Sequence, residues 1–227
     1  VTASAPLPLY EEILLLALDD DKGTTPTGNL FVNAMGGAML AELVLLGAVR
    51  VAHDKKKRVT ASPTARIDDP LLSEAWQLIR AAAKPKSAQD WVLKFAGLKD
   101  LKNRAARQLV AKQVLKEETG TVLKIFKRTI YPEVDGGPER ALIRRLERAI
   151  FSDTPDVDQR TVIIVALAAA TRLLEQAFDK KKLKTRKKRL ERLASGQLVG
   201  EATREAIAAI ETAIMVCTMV PIITAAT

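Results

Sequence analysis

The stretch from Asp158 to Phe178, DQRTVIIVALAAATRLLEQAF, predicts a helix that is apolar on nearly every side. A helix with no polar face has to be enclosed, either by lipid or by other parts of the protein. Arg172 interrupts the run, and the other strongly apolar segment, AIAAIETAIMVCTMVPIITAAT, carries Glu211 and Pro221. Neither supplies the roughly 20 uninterrupted apolar residues that crossing a bilayer requires. The enclosure must then come from the chain itself, and 48% apolar content over 227 residues is enough to build it. The Pro and Gly clusters are short, so residues 1–227 read as a single, mostly α globular domain. Its predicted plan is a central apolar helix surrounded by amphipathic helices, plus small β-hairpins.

The remaining elements follow from punctuation and period. Tyr10 to Leu18 reads as an amphipathic helix ended by DDDKG. Glu11 and Glu12 stand where a signal peptide would be positive, and as an adjacent pair they read as solvated helix-end residues. LFVNAMGGAMLAELVLLGAV predicts a second helix with Gly47 as its C-cap and two glycines suited to close helix packing. AVRVAHDKKKRVTAS then alternates as a hairpin whose tip carries Lys55, Lys56, Lys57 and Arg58. Asp69 and Pro70 open one further helix, and Ser87 and Gly97 bound another. KEETGTVLKIFKRTIYPEV reads as strand, Thr-Gly turn, strand. GGPERALIRRLERAIFS, the basic DKKKLKTRKKRLERLASG with Leu183, Leu190 and Leu193 inward, and EATREAIAAIETAIMVCTM complete the helical set.

Few residues are suited to catalysis. His53 is the only histidine and sits at a hairpin, Cys217 is the only cysteine, and no phosphate-binding Gly-rich loop ending in Lys-Ser or Lys-Thr occurs. The paired carboxylates are adjacent and not spaced to converge on one substrate, and no metal constellation is present in the sequence. These features disfavour an enzyme and call for no cofactor or metal. The single cysteine fits a reducing compartment.

Charge is the more informative property. Lys and Arg outnumber Asp and Glu by 36 to 27, a net +9 that favours a polyanionic partner such as nucleic acid or anionic lipid. HDKKKR at a hairpin tip resembles the wing of a winged-helix protein. The helix before it, AELVLLGAV, is apolar where a recognition helix needs Arg, Asn or Gln. Aromatics are only 4% and do not interleave with the basic residues, which gives bases little to stack on. In GLKDLKNRAARQLVAKQVL, Leu101, Ala105, Leu109 and Val110 form the inner stripe, while Arg104, Arg107 and Lys112 read as general surface. Lys99 and Lys102 differ in lying three residues apart at a helix start, a corner suited to a phosphate. The plain alternative is a solvated pair beside Asp100.

Six words of this chain occur in the order found in the Golgi phosphoprotein 3 family: LPLYEEILLLALDDDKG, GGAMLAELVLLGAV, DPLLSEAWQLIR, AQDWV, NRAARQLVAKQVL and LLEQAF, from Leu7 to about Met219. The chain resembles that family over nearly its whole length. The resemblance implies a helical, non-catalytic peripheral membrane adaptor that recognises phosphatidylinositol 4-phosphate at the cytosolic membrane face, with protein clients and self-association. Lys99 and Lys102 match the two later basic residues of the family's headgroup pocket. Gly36 stands where that pocket has an arginine, and residues 24–29 contain no tryptophan. A different anionic lipid, weaker binding, or help from Arg50 or from Lys55 to Arg58 all remain open. The hairpin resembling the family's membrane-contact and self-association element offers Val122, Leu123, Ile125 and Phe126 as an interfacial wedge, or else as a buried strand. The alanine-rich composition and the altered pocket point to a divergent bacterial member. A winged-helix-like nucleic-acid binder and a protein-interaction scaffold are the alternatives.

Overall fold

The computed structural model describes residues 6–19, 23–25, 29–122, 126–155, 157–195 and 211. Helix α1 (Leu9–Ala17) lies at the centre, packed against α2 (Asn29–Leu45), α5 (Leu101–Ala111), α6 (Gly137–Phe151), α7 (Gln159–Ala170) and α8 (Leu174–Ala177). The expected apolar helix is α7, buried from Thr161 to Ala168. It is not alone in the middle. All nine residues of α1 are buried, so the helix expected to be amphipathic is a core helix.

That difference changes the status of Glu11 and Glu12, which are 0% and 5% exposed and not solvated. Each meets a cation from a distant helix: Lys112 Nζ lies 2.6 Å from Glu11 Oε1, and Arg145 Nη2 lies 2.6 Å from Glu12 Oε2. The N-terminus of α1 is closed in the same way. Leu9 N donates to Glu42 Oε2 at 2.7 Å, while Arg160 donates to Glu42 Oε1 and to the Leu7 carbonyl. An unpaired helix N–H or a lone carboxylate at this depth would be costly, and these bonds satisfy both.

The helix α4 (Ala88–Ala96) packs across α2 at the predicted glycine pair. A Cβ on Gly36 would sit 2.4 Å from the Val92 carbonyl oxygen and 2.9 Å from Ala96 N, so only glycine permits this approach. Gly47 ends the α2 segment at φ +65°, as a C-cap glycine should. Asp69 caps α3 (Pro70–Arg80) by accepting from Leu72 N at 2.8 Å.

The first hairpin is β1 (Val49–Val51) and β2 (Arg58–Ala61), with Val49, Val51 and Val59 turned inward. A third strand, β3 (Lys86–Ser87), adds to β2, an extension that the local pattern does not predict. The second hairpin is β4 (Glu118–Val122) with β5 (Phe126–Ile130). Thr119 and Gly120 are not its turn but lie within β4, paired with Thr129 and Arg128, because the alternating pattern carries the strand on to Val122.

The basic segment near the end breaks into α9 (Lys180–Thr185) and α10 (Lys187–Ala194) around Arg186. Leu183 and Leu193 are buried as expected, and Leu190 is half-buried. Arg186 and Arg189 turn inward to donate to the carbonyls of Ala149, Ile150, Ser152 and Thr154 at and beyond the end of α6. Those two arginines satisfy a helix C-terminus instead of forming a solvated rim. Of the segment expected to close the bundle, only Glu211 lies within the described residues.

Candidate anion-binding surface

The corner singled out by sequence is built from α4, a tight turn and α5. Ser87 and Asp90 form a reciprocal capping box at the start of α4, and Gly97 ends it. The chain then turns through Asp100, which takes the left-handed conformation at φ 56° as the N-cap of α5. The Asp100 carboxylate caps nothing; it accepts from Asn103 Nδ2 at 2.5 Å and from Arg107 Nη1 at 3.2 Å. Lys99 is exposed in the turn, and Lys102 is half-buried in the first turn of α5. Leu101, Ala105 and Leu109 are buried and Val110 is half-buried, as the stripe predicts.

Of the other cations at α5, Arg107 is general surface as expected, while Arg104 and Lys112 reach partners on other elements. Arg104 pairs with Glu74 of α3, Arg107 with Asp100 and Glu117, and Lys112 with buried Glu11. Burial pushes the Glu11 carboxyl up to about 7 against the opposing pull of Lys112. Glu12 is raised for the same reason. The Tyr10 hydroxyl donates to Asp69 at 2.6 Å, and burial together with Asp69 raises its pKa far above that of a free phenol.

The remaining predicted positions separate. Gly36 lies inside the α2–α4 contact, so the place of the expected arginine is filled by the α4 backbone. Arg50 is exposed on β1, opposite Thr60. Lys55, Lys56, Lys57 and Arg58 line a cleft with Lys84, Pro85 and Lys86, which sequence reasoning did not connect to them. The connection runs through β3, whose two residues are too few to register as a strand pattern. Neither Lys99 nor Lys102 lines that cleft. Val122 and Phe126 pair at the end of the β4–β5 ladder, while Leu123 and Ile125 fall outside the described residues. His53 is exposed in the first hairpin. Among the described residues no helix is long and apolar enough to cross a membrane, and no group of three or more His, Cys, Asp or Glu side chains could hold a metal ion.

Comparison with known proteins identifies the family. Vacuolar protein sorting-associated protein 74 of Schizosaccharomyces pombe is 25% identical over 220 residues, a match covering 82% of this chain and 65% of that protein. The chain therefore spans somewhat less than two thirds of the curated relative's length. The Golgi phosphoprotein 3 (GPP34) profile matches residues 9–210, slightly inside the Leu7 to Met219 span read from the sequence words. That match takes in every element from α1 to α10, and the chain belongs to the Golgi phosphoprotein 3 family.

Proposed function

We propose that the protein is a non-catalytic adaptor that docks peripherally on a membrane and binds an anionic phospholipid headgroup, phosphatidylinositol 4-phosphate or a close relative, through Lys99 and Lys102. The observation that carries this reading is the corner before α5: Lys99 is exposed there, while the neighbouring Asp100 carboxylate is taken up by Asn103 and Arg107. An acidic neighbour engaged elsewhere leaves the corner net attractive to a phosphate that carries nearly two charges near neutral pH. Each lysine at an anionic surface adds about 1 kcal/mol. Family membership supports the same assignment.

The enclosed Gly36 makes the site narrower in chemistry than the family's pocket, so the lysines act here without an arginine from α2. The β4–β5 hairpin is assigned membrane contact and self-association by the family resemblance alone. Protein clients would be held at the cytosolic face of the membrane. The winged-helix reading is the weaker one, because α2, the helix before the basic hairpin, is buried from Ala34 to Glu42 and has no long face for a DNA groove.

The test is co-sedimentation with vesicles of phosphatidylcholine alone, with phosphatidylserine, or with phosphatidylinositol 4-phosphate. Wild type is expected to pellet with the anionic vesicles, most strongly with the last, and Lys99→Glu/Lys102→Glu to stay in solution. Equal pelleting of the two proteins overturns the assigned site. Salt-sensitive binding to duplex DNA with indifference to every vesicle overturns the function.

A further inference from the structure

At the other end of α4 from Lys99 lies a second cationic centre, set in a cleft that neither Lys99 nor Lys102 lines. Lys55, Lys56, Lys57 and Arg58 line it from the β1–β2 hairpin, and Lys84 and Lys86 from the segment leading into α4. The cavity is about 780 Å³, within the range of small-ligand sites. Main-chain bonds hold its two walls together: Arg58 pairs with Ser87 and Val59 with Lys86 in the sheet, and Ala88 N donates to the Lys57 carbonyl at 2.9 Å. The cations are therefore gathered by the fold and not by side-chain chance.

The carboxylates nearby neutralise only part of this charge. Asp54 is bonded to Arg58, Glu211 meets Lys57 at 2.8 Å, and Asp90 is committed to the Ser87 cap. Lys55, Lys56 and Lys84 are exposed and make no ion pair among the described residues. Lys86 rests 5.7 Å from the centre of the Trp91 ring. The lysines left without a carboxylate around one cavity repel each other, and a compact polyanion relieves that repulsion. Lysine ammonium groups act as adjustable point charges for phosphate. Among the described residues the lining has no aromatic ring on which a base could stack.

We propose that this cleft is a binding site for a small anion bearing several phosphates, free or as the headgroup of a lipid, separate from the Lys99 and Lys102 corner. The test titrates inositol hexakisphosphate into the full chain by calorimetry, comparing wild type, Lys55→Glu/Lys84→Glu and Lys99→Glu/Lys102→Glu. The cleft variant is expected to bind at least about tenfold more weakly, and the corner variant within about twofold of wild type. Both cleft positions are exposed, so its melting temperature should not change. Wild-type affinity in the cleft variant, or loss only in the corner variant, overturns the site. Vesicles containing phosphatidylinositol 4-phosphate then identify the source: pelleting that depends on the cleft assigns a lipid headgroup, and pelleting that does not assigns a soluble phosphate ligand. Duplex DNA binding that requires the cleft, with no binding of inositol hexakisphosphate, overturns the proposal in favour of nucleic acid.

Discussion

Lys99 and Lys112 flank the same helix, α5, and are used in opposite ways. Lys112, although itself exposed, directs its ammonium group onto a carboxylate with no solvent exposure, Glu11, and so serves the interior of the molecule. Lys99 is exposed in the turn before the helix. The same division runs through the whole charge inventory. Arg145, Arg160, Arg186 and Arg189 serve buried carboxylates or helix-end carbonyls, whereas Lys55, Lys56 and Lys84 stand in water around a cavity. The net +9 alone therefore does not say which cations are free to meet a partner. Arginine's planar fork can satisfy several carbonyls at once, as Arg186 and Arg189 do, while lysine's single mobile charge suits a diffuse or changing anion.

The largest effect is expected where an interior cation is removed. Arg145→Ala leaves the Glu12 carboxylate buried without its partner and should cost about 3–5 kcal/mol in chemical denaturation. A loss no greater than that of a surface pair would erase the distinction between interior and surface cations. Next comes Gly36→Ala, whose Cβ would press on the Val92 carbonyl and Ala96 N; separating α2 from α4 should cost about 1–3 kcal/mol. Gly36→Arg, which restores the residue type of the family pocket, should lower the melting temperature further and not improve lipid binding.

A pH series sharpens the comparison from the carboxylate side. Glu11 has a folded pKa of about 7 against an ordinary 4.5, so the folded state holds more protons than the unfolded chain between those values. Its contribution is then fully present below about pH 4.5 and is lost as pH rises through about 7. Glu11→Gln should flatten that decline, and melting temperatures of wild type and variant across the window would be seen to converge or cross as pH rises. A parallel pair of curves would mean that Glu11 does not titrate there. The smallest effect belongs to the surface: Lys99→Ala should change stability by no more than about 0.5 kcal/mol while weakening vesicle binding. If it destabilised the protein as Arg145→Ala does, Lys99 would have to be counted with the interior cations.

Features carried by neighbouring residues are legible in the amino-acid sequence. The Asp69-Pro70 start of α3, the Ser87 cap of α4, the Gly47 terminator and the inner stripe of α5 each depend on residues within a turn or two of one another. The glycine pair in α2 signals a close helix contact without naming Val92 as the other side. Glu11 and Glu12 mislead because adjacent carboxylates usually mark a solvated helix end, and the cations that permit their burial come from α5 and α6, far along the chain. The basic cleft is hidden for a similar reason. Lys84 and Lys86 have no special spacing of their own and acquire meaning only when β3 joins β2.

By itself, then, the sequence determined a helical domain built around an apolar helix, its caps and hairpins, a surplus of positive charge and the family to which the chain belongs. These follow from period, punctuation and ordered words, all of which are short-range properties of the chain. Which charges are interior and which are offered to a partner was decided by tertiary structure alone. Desolvation and Coulomb attraction depend on the surroundings each side chain finds in space, and helix packing brings Lys112 to Glu11 while leaving Lys99 in water.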